Sequence, residues 1–348
     1  MNLAETENLQ QHSRNRYELL LDGLKETEEL HYFRFLAKKY KFHVSNDWPK
    51  TIKEIHQDLI KPSSIKPDAT FRNLELLVDQ IIMSADQAYR IYEIDRFTED
   101  QITEALLRFE TEFKESELSE IYPSKIKSDS KHDQGTFLTK IKQFKQGVAC
   151  IYSTILEKTE FDRKTRTTFR VKTHHFSTIF IPFEKKRIEV RIPSKMPKNE
   201  QDDCFRSTYN AFYDLVGLQK VNLRNAKEIS FIKCIESLYQ DKKAGRAAAV
   251  IMTTDEQSSD ANLSNKTVKN YCARTQVVQD NSGKKHTYIC RAVNIRWELP
   301  DEKVCEMQVS IEPHKNLWEI KICNSIKIKH PESFYKLDRL ITDVISRA

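Results

Sequence analysis

Residues 164–173 read Lys-Thr-Arg-Thr-Thr-Phe-Arg-Val-Lys-Thr, and the pattern of the chain changes at about residue 163. Here β-branched and aromatic residues alternate with charged ones at a period of two, which sends successive side chains to opposite faces of a pleated strand. Lys164, Arg166, Arg170, Lys172 and His174 share one face, and Phe169 and Val171 the other. Before this stretch apolar residues recur at threes and fours. After it, short apolar runs are parted by turn-forming residues. The passage divides the chain into an expected helical domain over residues 1–160 and an expected α+β domain over residues 161–348.

Working back from it, Tyr17, Leu20, Leu21, Leu24, Leu30, Phe33, Leu36 and Tyr40 predict a long amphipathic helix over residues 16–40. Further helices are expected at about 50–60, through Leu74, Leu77, Ile81, Ala88 and Ile94, over 99–117, and over 137–157 with Ile141, Phe144, Val148 and Ile151 on one side. Residues 122–135, rich in Lys, Ser and Asp, read as a linker. Together these segments predict an N-terminal helical bundle.

Working forward, strands are expected at 164–173, 178–183 and 187–192. A helix over 203–216 should stop at Gly217, and a second should run over about 226–239. A strand over 247–252, a polar loop over 253–266, a hairpin turn at Asn281-Ser282-Gly283, paired strands at 303–311 and 316–323, and a helix over 332–345 complete the chain. Short turns between successive strands predict a mostly antiparallel sheet with packed helices.

Composition narrows the chemistry. Six glycines in 348 residues, no two closer than twelve positions, leave no place for a glycine-rich phosphate loop of the dinucleotide or P-loop kind. Seven scattered cysteines without a C-x-x-C point to reduced thiols and a cytoplasmic setting. The longest clean apolar run, Ala247 to Met252, is far short of the roughly 20 residues of a membrane span, so no membrane association is expected. Net charge is +6 but uneven: residues 1–120 carry 16 basic and 24 acidic side chains, whereas residues 121–200 carry 18 and 8.

That central excess defines the first functional expectation, a non-enzymatic protein that contacts nucleic acid. Arg166, Arg170, Lys172, Lys185, Lys186 and Arg187 are the candidate phosphate contacts, because cations at alternate strand positions track a phosphate backbone and release counterions from it. The same pattern also describes an ordinary solvated sheet face. The acidic helical half would contact a protein partner or a second copy. No cofactor is expected under this reading.

A second expectation is a Mg²⁺-dependent nuclease on the 303–323 hairpin, with Glu306 and Glu319 as carboxylates and Lys321 orienting water. Glu319-Ile320-Lys321 resembles the E-x-K half of restriction-type nuclease sites, although the aspartate of that pattern has no counterpart beyond Asp301 at the strand's edge. A third is a protein-interaction scaffold without nucleic acid. Arg170 and His175 also have the R-x₄-H spacing of some helical ribonucleases, on what reads as a strand. Cys272, Cys290, Cys305 and Cys323, at separations of 18, 15 and 18, read as buried thiols rather than zinc ligands.

Overall fold

The computed structural model describes residues 19–23, 33–34, 36–37, 40, 42–60, 67–112, 117–128, 130–254, 260–264, 271–275, 288–297 and 307–348. In chain order its elements are α1 Trp48–Ile60, α2 Pro67–Ser84, β1 Gln87–Glu93, α3 Arg96–Glu112, α4 Glu117–Ile121, β2 Gly135–Phe144, β3 Gly147–Asp162, β4 Thr167–Pro182 and β5 Arg187–Pro193. There follow α5 Lys198–Leu218, β6 Lys227–Glu228, α6 Ile232–Gln240, β7 Gly245–Thr254, β8 Asp260–Ser264, β9 Tyr288–Trp297, β10 Gln308–Ile311, α7 Lys315–Glu319, β11 Ile326–Lys329 and α8 Phe334–Ile345. Strand pairing runs β2-β3-β4-β5-β1-β11-β10-β9-β7-β8, with β6 beside β1, a large antiparallel sheet of eleven strands.

This sheet overturns the helical bundle, because β1 and β2 lie within residues 1–160 and all of β3 but its last two residues does too. The segment expected as a helix over 137–157 is instead the β2–β3 hairpin, paired from Gly135↔Ile155 to Phe144↔Gly147 around Lys145 and Gln146. Its apolar residues fit a helical spacing only because the inner part of β3 is apolar on both faces. Every position from Gly147 to Ile155 is buried, so no polar face exists to set a period. Gly147 fixes the start of β3: a Cβ there would lie 2.2 Å from the Ile181 carbonyl oxygen. Similarly, the helix expected through Ile94 ends at Ser84, whose hydroxyl donates to the Gln80 carbonyl at 2.6 Å. The chain then enters β1, rich in Tyr and Ile.

The chain forms two compact units. The first takes the described residues up to Ala85 together with Arg96–Lys185 and Val190–Leu223. Its core joins Leu74, Leu77, Val78 and Ile81 of α2 to Ile151 of β3 and Phe176 of β4. Each such aliphatic side chain removed from water contributes about 1.5–3 kcal/mol. Asp79, almost wholly buried there, is held by Lys140 at 2.8 Å and by the Tyr122 hydroxyl at 2.8 Å. The second unit comprises Asp86–Asp95, Lys186–Glu189 and Arg224–Ala348. There Leu337, Leu340, Ile341 and Val344 of α8 and Cys234, Ile235 and Leu238 of α6 cover Ile295, Val309 and Ile328 of the strands.

Several smaller expectations change as well. Residues 164–166 belong to a turn, and 167–182 form one strand rather than two. Helix α5 passes through Gly217 to Leu218, and Lys220 rather than a glycine takes the positive φ that follows. Most of the helix expected over 16–40, and the turn at Asn281-Ser282-Gly283, lie outside the described residues. No described helix is long and apolar enough to cross a membrane.

Candidate functional site

Strands β3 and β4 pair without interruption from Gly147↔Pro182 to Asp162↔Thr167. The inner half of this hairpin is core. Beyond Ile155 and His174 both strands emerge into solvent, and residues 163–170 are exposed at every position. At a strand rise of about 3.3 Å per residue, the outer half projects roughly 25 Å. Its tip is the four-residue turn 163–166, in which Arg163, Lys164 and Arg166 are cationic.

The tip is built by Asp162. Its carboxylate accepts the Lys164 N–H at 2.8 Å and the Thr165 hydroxyl at 2.9 Å, and these bonds hold its pKa below the usual 3.8. Arg166 closes the turn with φ 55. Among the described residues, the side chains of Arg163, Lys164 and Arg166 make no ion pair. The register places Phe161 with Thr168 and Arg170 with Thr159 on one face of the ribbon, and Phe169 with Glu160 on the other. Phe161 is 59% exposed and Phe169 46%. The sequence pattern singled out Phe169 only as the apolar side of a strand and missed Phe161. The useful signal was a phenylalanine within three residues of either end of a basic turn.

The structure does not bring the six candidate phosphate contacts together. Arg166 lies at the tip, and Arg170 along the arm, paired at 3.1 Å with Glu157 of the same face. Lys172, nearer the core, donates its ammonium to the carbonyls of Ser130 at 3.1 Å and His132 at 2.6 Å, pinning these two residues to β4. Lys185 and Lys186 sit in the turn that follows β4, and Lys185 is therefore about 50 Å along the strand from the tip. Arg187 is not on a surface at all. It is 4% exposed and bonded to Glu189, Asp338 and Thr342. Desolvation opposes its charge, and the two carboxylates more than offset that, holding its pKa above that of a free guanidinium. Arg191, on the same strand, is buried too, stacked on Phe180 at 4.3 Å.

The nuclease hairpin is not formed as expected. Glu319 ends the short helix α7, and Lys321, with φ 62, lies in the turn after it over the Trp318 ring. The alternation that would have put Glu319 and Lys321 on one strand face is thus absent. Glu306, Asp301 and Cys305 lie outside the described residues. Among the described residues no group of three or more His, Cys, Asp or Glu is placed to hold a metal ion. Arg170 and His175 both lie on β4, the wrong element for the helical ribonuclease spacing.

Sequence reasoning also missed a groove of about 410 Å³ in the first unit, between the β2–β3 hairpin and α5. Thr136, Glu157, Lys158, Asn199, Glu200 and Asp203 are among its lining residues. Behind it runs a chain of hydroxyls: Thr136 to Thr154 at 3.2 Å, Thr154 to Ser177 at 3.1 Å, and Thr208 to Ser177 at 2.8 Å. Cys204 lies against these hydroxyls, and burial pushes its thiol up to about 12, so it is no nucleophile at neutral pH.

No protein-family model matches the chain, and neither the curated proteins nor the solved structures include a significant match, so the chain's own residues carry its functional reading.

Proposed function

We propose that the protein binds nucleic acid through the β3–β4 arm, with Arg163, Lys164 and Arg166 at the tip and Arg170 behind them contacting phosphates. One observation carries this reading: three of the four residues of an exposed turn are cationic, and an exposed phenylalanine stands on each face of the ribbon beside it. A two-stranded ribbon has the width of a duplex major groove, while exposed aromatic rings give unpaired bases a surface to stack on. Placing cations on a turn rather than along a flat strand lets three charges converge on one stretch of backbone. Each phosphate so neutralised releases condensed counterions, which makes the affinity fall with salt.

The test is an electrophoretic shift of the full chain with labelled single- and double-stranded DNA and RNA at two salt concentrations, with and without Mg²⁺. A salt-sensitive shift that is lost in the triple variant Arg163→Glu, Lys164→Glu, Arg166→Glu supports the reading. Absence of a shift with all four probes at low salt, or a shift the triple variant retains, overturns it. Phe161→Ala and Phe169→Ala then separate the substrates: loss of about 1–3 kcal/mol on single strands alone identifies base stacking.

A further inference from the structure

The groove beside α5 contains a buried carboxylate with no cation hydrogen-bonded to it. Glu200, in the first turn of that helix, is 8% exposed, and its Oε2 has no hydrogen-bond partner. The nearest group able to carry positive charge is His175, whose Nε2 lies 3.4 Å away and is itself without a hydrogen bond. Burial first, and then the nearby Lys125 and Lys158 charges, push that imidazole down to about 4, so at neutral pH it is uncharged and does not neutralise Glu200.

The other charges of the groove are engaged elsewhere. Asp203 is bonded to Arg206 at 2.8 Å and Glu157 to Arg170 at 3.1 Å. Lys158 feels the Glu200 charge but bonds Glu160 at 2.9 Å. A carboxylate removed from water without a partner is costly, and a protein retains one where a ligand supplies the missing cation. The acceptors at the groove wall are the Glu200 carboxylate and the side-chain oxygens of Thr136 and Asn199. An ammonium has three N–H donors and no acceptor, which this set of acceptors matches. A metal ion is a poorer fit, since no group of metal-binding side chains occurs among the described residues.

We propose that the groove binds the primary ammonium group of a small organic amine, with Glu200 as its counter-ion and the side-chain oxygens of Thr136 and Asn199 as further acceptors. The volume is within the range of small-molecule sites and admits an alkyl chain behind the charged head. This site is independent of the nucleic-acid reading.

The experiment is calorimetric titration of the full chain, free of nucleic acid, with n-butylamine and with n-butanol, its uncharged counterpart. Saturable binding of the amine alone is expected, weakened roughly ten- to a hundredfold in Glu200→Gln, as for a lost hydrogen bond to a charged group. Lys158→Met, on a half-exposed side chain, removes the competing cation and should tighten amine binding; it provides the test should Glu200→Gln not fold. Putrescine and Nα-acetyl-lysine amide, titrated in parallel, distinguish a free diamine from a lysine side chain as the source of the ammonium. No saturable binding of any of the three amines, equal binding of butanol, or amine binding unchanged in Glu200→Gln and not tightened in Lys158→Met overturns the proposal.

Discussion

Arg187 Nη2 lies 2.7 Å from Asp338 Oδ1, joining β5 to α8 across 151 residues of sequence, while its Nε lies 2.7 Å from Glu189 Oε1. The guanidinium answers two carboxylates, one of them buried at Glu189. Arg187→Ala takes the guanidinium away from that buried carboxylate, and the expected loss of stability is about 3–5 kcal/mol. Urea denaturation measures it. A fall below about 1 kcal/mol, the size of an exposed pair, would show that the network is solvated in the folded chain.

At the arm, the dependence of binding on salt reports how many phosphates are met. For duplex DNA each neutralised phosphate adds about 0.9 to the slope of log affinity against log salt, and for single strands about 0.7. Replacing Arg163, Lys164 and Arg166 singly by Gln should lower the slope by about that amount each, whatever the base sequence. Arg187→Lys, buried and paired, should leave the slope unchanged. Titrations at several salt concentrations decide between a tip that meets phosphate and one that does not.

Gly147→Ala should destabilise the first unit by about 1–3 kcal/mol or more, because the new methyl group meets the Ile181 carbonyl oxygen of β4, backbone that has no side-chain freedom to yield. Gly217→Ala, on an exposed face of α5 with nothing within 4 Å, should be neutral or slightly stabilising. Denaturation midpoints of the two variants check the contrast; equal midpoints would contradict the close β3–β4 approach.

Two adjacent histidines predict an acid-sensitive fold. Burial, with Lys125 next, pushes His174 down to about 3, and the same causes with Lys158 push His175 down to about 4, both from 6.5. His174 also accepts the Ile126 N–H on Nδ1 at 3.0 Å, a bond that only the unprotonated nitrogen makes. Below pH 6.5 the unfolded chain takes up protons that the folded chain refuses. The stabilisation is therefore complete above pH 6.5 and declines as pH falls towards 4, by about 1.4 kcal/mol per pH unit for each histidine. His174→Asn, which keeps an acceptor but does not titrate, should remove about half of that slope in urea midpoints measured from pH 7 to pH 4.5. An unchanged slope would place His174 in solvent.

The amino-acid sequence by itself determined the features that local periodicity encodes. The apolar spacing of Ile102, Leu106 and their neighbours corresponds to α3, that of Leu337, Leu340, Ile341 and Val344 to α8, and the alternation at Phe169, Arg170 and Val171 to opposite faces of β4. In the two helices one side meets core and the other meets water, so the composition of the two sides differs and a period appears, whereas the outer part of β4 alternates although both of its faces meet solvent. Tertiary structure alone decided the rest. Gly147–Ile155 is buried on both faces and carries no period, so its pairing with β2 and β4, not its spacing, makes it a strand. Arg187 reads as one more surface cation until Asp338 is brought to it, and Glu200 reads as a helix-start carboxylate until β4 brings His175 to 3.4 Å. Charge on a side chain is local information, but whether water, a partner or nothing answers that charge depends on residues far away in the chain, and only packing selects them.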